Sequence, residues 1–269
     1  MCCFSLFRRS LSLVAFCLVL SGVFASHGAA SVRTFSPSHA WDAKVVEHSA
    51  LPPRVVAVDK KEQVLSLLEF QSSLDSTTTY LCSTGQAPGD KVVEGDLKTP
   101  EGVYFVVQHL KSGLDFDMYG YEAYTLNYPN PVDKIRRKTG YGIWVHGKGN
   151  GIAPLQTQGC IALNNNDLST LGNKLTPGLP VIISNSVKLL TPTSNKAQTI
   201  KDLQGLSEKW AKAWENRSAK MFDFYNHEAY SIANEPFNAF KNNKERLFKR
   251  LPWIKTTIRD IQVLEGPGY

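Results

Sequence analysis

The sequence predicts a mainly β, sandwich-like domain with short helices, followed by a partial α+β region at the carboxy terminus. Three observations predict it. Apolar and β-branched runs of four to nine residues recur between residues 54 and 184, separated by Gly, Pro and Asn. Residues 191–200 (Thr-Pro-Thr-Ser-Asn-Lys-Ala-Gln-Thr-Ile) then change the composition to that of a linker. Beyond them Leu203, Leu206, Trp210, Ala213 and Trp214 recur at three- and four-residue spacing, which is helical and amphipathic.

The elements follow in order. Residues 26–51 are polar, hold three His and show no period, so they read as a flexible lead-in or a short helix, ended by Pro52-Pro53. Arg54–Asp59, the polar Lys60–Gln63 and Val64–Phe70 read as strand, turn, strand. Thr77–Ser83 is a third run, β-branched and aromatic. Gly102–Leu110 is a fourth, with Val103, Phe105 and Val107 on one face. Tyr121–Tyr128, Gly142–His146 and Val181–Ser184 are also strand-like. A short helix fits Asn166–Leu175, with Asn165 or Asn166 as its cap, Asp167 in its first turn and Pro177-Gly178 as its stop. These elements place one domain at 52–186, a linker at 187–200 and a second region at 201–269. In that last region Phe222, Tyr225, Phe240 and Phe248 lie in a Lys- and Asn-rich tract, and Ile258–Leu264 alternates like a single strand.

The amino terminus reads as an address. Arg8 and Arg9 stand in a segment without acids, and Leu11–Phe24 is almost wholly apolar. That run falls short of the ~20 residues a membrane-spanning helix needs. A basic start, a short apolar core and the small-x-small triplet Val23-Phe24-Ala25 describe a secretory signal peptide over 1–25, with Ala30 as a second cleavage point. An uncleaved signal anchor is the alternative, and the one route by which this chain would meet a membrane. Cleavage after Ala25 lowers the net charge from +6 to +4 and removes Cys2, Cys3 and Cys17. Cys82 and Cys160 remain, either as one disulfide or with a thiol kept for chemistry.

Composition bounds the rest. A chain that is 42% hydrophobic and 20% charged is not disordered, and five Cys in 269 residues do not make a disulfide scaffold. A pI near 9.0 suits an acidic cell-surface polymer, a membrane surface or nucleic acid. Export and the lack of a nucleic-acid motif argue against the last. The six His are scattered without metal-ligand spacing, so no metal and no cofactor are expected.

The chemistry concentrates in Tyr141-Gly-Ile-Trp-Val-His146-Gly147 and Thr157-Gln-Gly159-Cys160-Ile161-Ala-Leu163. Strand alternation puts Trp144 and His146 on one face and Ile143 and Val145 on the other. A thiol attacks as thiolate, and an imidazole is its usual activator. The intervening loop is long enough to fold Cys160 back beside His146. Gly159 lets a substrate carbonyl approach backbone N–H groups that stabilise an oxyanion. A buried apolar Cys160 with a core His146 is the competing reading, as is a Cys82–Cys160 disulfide.

This pattern resembles the L,D-transpeptidase (YkuD-type) catalytic domain, which carries His-Gly, a loop, then Ser/Thr-x-Gly-Cys and an apolar residue. Residues 146–147 and 157–161 match it. Upstream, Gly85, Gly89-Asp90-Lys91 and Gly95-Asp96-Leu97-Lys98-Thr99-Pro100-Glu101-Gly102 resemble the family's Thr-Pro-x-Gly segment, closest to the murein-transpeptidase branch. The resemblance covers about residues 52–186. One departure stands out: many members have Arg two positions after the Cys, and this chain has Ala162.

The resemblance implies that Cys160 is the nucleophile, His146 its base, and Gly147 the residue whose carbonyl orients the ring. Thr157, Gly159 and the Cys160 N–H would line the oxyanion site, and Trp144 and Tyr141 would contact substrate. The implied substrate is the peptidoglycan tetrapeptide stem, and the implied place is the periplasm or cell wall. Acyl transfer to an amine makes an L,D cross-link. Transfer to water trims the stem to a tripeptide, as in cell-shape L,D-carboxypeptidases. Residues 201–269 more weakly resemble part of a nuclear-transport-factor-like cone. A wall-binding protein without catalysis is the reading of another class.

Overall fold

The computed structural model describes residues 41–46, 50–71, 73–190 and 194–269. The expected signal peptide 1–25 and residues 26–40 of the expected lead-in lie outside the described residues.

In chain order the strands begin with β1 (Asp42–Val46), β2 (Arg54–Asp59), β3 (Val64–Phe70), β4 (Leu74–Leu81) and β5 (Gly102–Leu110). Helix α1 (Phe116–Tyr119), β6 (Ala123–Leu126), α2 (Pro131–Ile135), β7 (Trp144–His146), β8 (Ile161–Ala162) and α3 (Asn165–Gly172) follow. Then come β9 (Pro180–Ser184), β10 (Ser186–Leu190), α4 (Ser194–Glu215), a 3-10 turn (Ala219–Phe224), α5 (His227–Ala233) and α6 (Phe237–Arg250). The main sheet has the order β4-β3-β2-β9-β5-β6-β7-β8. The β2–β9 and β7–β8 pairs are parallel, the others antiparallel. Ser83, just past β4, pairs with Ala162 of β8 (N···O 2.8 and 2.9 Å), so the sheet curls until its two ends meet.

Alternation explains how the sheet carries two cores. In β2, Val56 and Val58 enter the curl, where Leu65, Leu67, Tyr104, Val145, Ile161 and Leu171 surround them. Val55 and Ala57 point to the other face and pack with Ala43, Val45, Leu68, Val103 and Ile182. A strand buried on both faces reads as a continuous apolar run, as Val55–Val58 does. Each fully buried Val or Leu contributes about 1.5–3 kcal/mol relative to exposure. In β5, Val103 and Phe105 share the second core, but Val107 is exposed, because the pairing with β6 shifts register between Val106 and Gln108.

Several expectations are corrected. The described part of the lead-in holds a strand: β1 pairs in parallel with β10, Asp42 against Ser186 and Val46 against Leu190. The expected linker 187–200 therefore contains most of β10 and the first turns of α4. Helix α3 begins at Asn165 with Asn164 as its cap residue, and the cap makes no side-chain hydrogen bond. The described residues of 201–269 hold helices around an aromatic core of Phe222, Phe237, Phe240 and Phe248, with Trp210 and Trp214 against it. They hold no strand. Ile258–Leu264 forms no ladder and bends at Asp260, whose φ is +53°; Val263 N–H donates to the Ala50 carbonyl at 3.0 Å, and Leu264 packs on the second core. These helices do not by themselves confirm the partial cone-like fold expected there.

Candidate active site

The site forms where β7 and β8 run side by side. Val145 pairs with Ile161 and His146 with Ala162, and both Val145 and Ile161 face the core. By alternation, Trp144 and His146 face the other way, and so does Cys160. Cys160 immediately precedes β8, next to the position that pairs with Val145 and two residues before the one that pairs with His146.

His146 is 4% exposed, and its Nδ1 lies 2.5 Å from the Gly147 carbonyl. A carbonyl only accepts, so Nδ1 carries the proton and Nε2 keeps its lone pair. Burial holds the imidazole below its ordinary value, against the Gly147 bond, and the nearby Lys148 charge adds to the lowering. Cys160 is partly exposed, and its Sγ donates to the Gly142 carbonyl at 3.4 Å. Burial pushes the thiol up to about 11, opposed by the Trp144 backbone N–H aimed at the sulfur and by the Lys91 charge. The resting pair at neutral pH is therefore thiol and neutral imidazole, not an ion pair. Both Cys82 and Cys160 are free thiols, so the expected alternative of a disulfide does not hold.

Gly147 is there for space. A Cβ on it would lie 2.1 Å from Asn165 Oδ1, and one on Gly120, whose φ is +65°, would lie 2.9 Å from Gly147 backbone. Glycines at 120 and 147 let α1, β7 and α3 close on one another. The Gly147 N–H donates to the Glu122 carbonyl at 3.2 Å.

Residues 53–183 match the family model described as the L,D-transpeptidase catalytic domain, YkuD. Among solved structures the chain is similar to Bd1075 of Bdellovibrio bacteriovorus, at 27% identity and TM-score 0.60 over 83% of this chain and 80% of that one. It is also similar to the helical cell shape determining protein Pgp2 of Campylobacter jejuni, at 28% identity and TM-score 0.54 over 73% of this chain and 69% of that one. No curated protein matches the chain.

Within the matched domain the sequence-predicted residues separate by task. Thr157 Oγ1 donates to the Cys160 carbonyl at 2.7 Å and accepts from Gly159 N–H at 3.1 Å. It shapes the loop before Cys160, and the Gly159 N–H is engaged in doing so. Of the expected oxyanion donors, this leaves the Cys160 N–H. Gly159, at φ +137°, has another role: a Cβ there would lie 2.8 Å from the Lys98 carbonyl. Gly85 meets the same segment from the other side, 2.4 Å from the Leu97 carbonyl by the same measure. The two glycines thus grip the stretch ahead of Thr99-Pro100-Glu101-Gly102.

Trp144 lies in the site, its ring 5.1 Å from Tyr119. Tyr141 stands on the loop before β7, 77% exposed. Ala162, where many relatives carry Arg, is fully buried and paired with Ser83, so no charge stands at that position.

Sequence reasoning missed Tyr119. Its ring meets His146 edge-on at 5.2 Å, and burial raises its hydroxyl, with the Cys160 charge adding to the rise. A four-residue helix has no period to reveal it; the signals were Asp115, which caps α1 through Met118 N–H, and Gly120. Sequence reasoning also missed the charges under the Thr-Pro-Glu-Gly turn. Buried Lys60 donates to the Gly89 and Thr99 carbonyls (2.5 and 2.8 Å) and to Glu101 (3.0 Å). Lys138 holds Asp90 at 2.7 Å and Asp133 at 3.0 Å. These pairs fix the segment against which Gly159 rests.

Proposed function

We propose that the protein is an exported, cysteine-dependent enzyme that acts on the peptidoglycan tetrapeptide stem through a Cys160 thioester. One observation carries the reading: the His146 Nδ1–H is engaged by the Gly147 carbonyl, while the strand beside β7 is entered by a partly exposed thiol, Cys160. That arrangement gives a neutral base with its free nitrogen available, oriented by a group that cannot take the proton away.

The steps balance as follows. His146 Nε2 takes the thiol proton as Sγ attacks the carbonyl of the diamino acid's L-centre. The oxyanion forms against the Cys160 N–H. The C–N bond then breaks, and His146 returns the proton to the leaving amine of D-Ala. An amine that attacks the thioester gives an L,D cross-link, and the enzyme is a transpeptidase. Water gives a tripeptide stem, and the enzyme is an L,D-carboxypeptidase. The likeness to a cell shape determining protein over 73% of the chain, more than the catalytic domain alone, favours the second reading. The signal-like amino terminus supports action outside the cytoplasm.

The test is product analysis by mass after incubation with disaccharide-tetrapeptide. Cross-linked dimers assign the transpeptidase; tripeptide and free D-Ala alone assign the carboxypeptidase. Product formation that survives Cys160→Ala removes both.

A further inference from the structure

We propose that Lys148 binds the carboxylate of the leaving amino acid, so that the enzyme selects stems whose terminal residue carries a free α-carboxylate. This rests on the acyl-transfer reading above. It follows first from where the leaving group must lie. The leaving amine is protonated as its C–N bond breaks, and the available proton is on His146. The terminal residue therefore sits on the His146 side of the sulfur. Its carboxylate is bonded to the same carbon as that amine, so a cation close to His146 is positioned to meet it.

The cations around the site differ in what they already hold. Lys91 is 4% exposed and paired with Asp96 at 2.7 Å, so its charge is neutralised inside the protein. Lys148 stands two residues beyond His146 and is half-buried. Its Nζ donates to Gln156 Oε1 at 3.0 Å, a neutral amide, and it has no carboxylate partner among the described residues. The amide is itself fixed. Gln156 Oε1 also accepts from Ala153 N–H at 3.1 Å, and Gln156 N–H donates to Ser83 Oγ at 2.9 Å. Asn150 Nδ2 donates to Asp117 Oδ1 at 2.9 Å and ties the same loop to α1. The ammonium is thus held in place with its charge unspent. An incoming carboxylate gains a charge-assisted hydrogen bond, roughly twice as strong as a neutral one. Position 162 supplies no competing cation, because Ala162 is buried.

The experiment uses two forms of one stem, the tetrapeptide with its terminal carboxylate free and the same stem as the carboxamide. Binding is measured on the Cys160→Ala protein and kcat/KM on the active one. The expected preference for the acid is about tenfold or more in binding, and Lys148→Met removes it while Lys148→Arg keeps it. In the active protein Lys148→Met lowers kcat/KM for the acid about 10- to 100-fold and for the amide by much less, so the acid-over-amide preference collapses. A preference that survives Lys148→Met, or equal handling of acid and amide by the unmutated protein, overturns the proposal and leaves the acyl-transfer reading standing. If neither stem is bound or turned over, the acyl-transfer reading itself fails and the proposal falls with it.

Discussion

The Gly147 carbonyl lies 2.5 Å from His146 Nδ1, and that contact sets which ring nitrogen can work as a base. Burial lowers the imidazole and raises the Cys160 thiol to about 11. The two shifts give kcat/KM a particular shape with pH. It rises as His146 loses its proton, below the ordinary value of 6.5, and then stays level through neutral pH. His146→Gln lowers the plateau by about 10²- to 10⁴-fold and leaves a rate that climbs toward the thiol's own ionisation near 11. Steady-state rates on the tetrapeptide from pH 4 to 10 check both. A wild-type profile still climbing at pH 9 would refute the general-base assignment.

Gly120→Ala tests the packing behind the same contact. The new Cβ meets Asn165 Oδ1 at 2.0 Å and Gly147 backbone at 2.9 Å, at a φ of +65°. The expected cost is about 1–3 kcal/mol, seen as a lower urea midpoint with unchanged slope. Activity falls further than stability, because the displaced residue is Gly147. Adding Asn165→Ala clears the side-chain clash but not the backbone one or the φ, so the double variant recovers only part of the loss. Full recovery would place the constraint in Asn165 alone.

Much of this was legible because the signals are local. The apolar, β-branched runs of Arg54–Asp59, Val64–Phe70 and Val181–Ser184 found β2, β3 and β9 within a residue or so. His146-Gly147 and Gly159-Cys160 announced the site through residue type and spacing. What failed was non-local. β1 exists only because β10, more than 140 residues on, pairs with it. Ile258–Leu264 alternates in sequence, but the chain bends at Asp260 and Leu264 packs on the second core without any strand partner; alternation does not by itself specify a ladder. The resemblance implied an oxyanion role for Thr157, whose hydroxyl donates to the Cys160 carbonyl and accepts from the Gly159 N–H, a turn that only the folded chain reveals.

Glu101 separates buried from exposed ion pairs. Its side chain is 2% exposed beside Lys60 at 7%, and its second oxygen accepts from the Trp41 N–H at 2.8 Å. Glu101→Gln leaves a buried ammonium without its counter-charge, an expected loss of about 3–5 kcal/mol. Glu69→Gln removes the partner of Arg54 and Lys174, whose side chains are 47% and 39% exposed, and the loss expected there is about 0–1 kcal/mol. Urea unfolding of both variants makes the comparison. Equal losses would mean that the buried pair carries no special weight in holding the Thr99-Pro100-Glu101-Gly102 turn.

The extended tail after α6 returns to the catalytic domain and is expected to stabilise it. Tyr269 Oη accepts from Val103 N–H at 3.2 Å, Arg136 stands 5.7 Å from the Tyr269 ring centre and donates to the Pro267 carbonyl, and Leu264 packs on the second core. Tyr269→Phe leaves the Val103 N–H at the start of β5 without that acceptor and costs about 1 kcal/mol. Deleting 264–269 also uncovers apolar surface, and the expected loss rises to about 2–4 kcal/mol. Because Val103 adjoins Gly102 of the Thr-Pro-Glu-Gly turn, hydrogen exchange at residues 99–103 should quicken in the deletion variant. Protection there that matches the full chain would show that the tail lies on the domain without holding it.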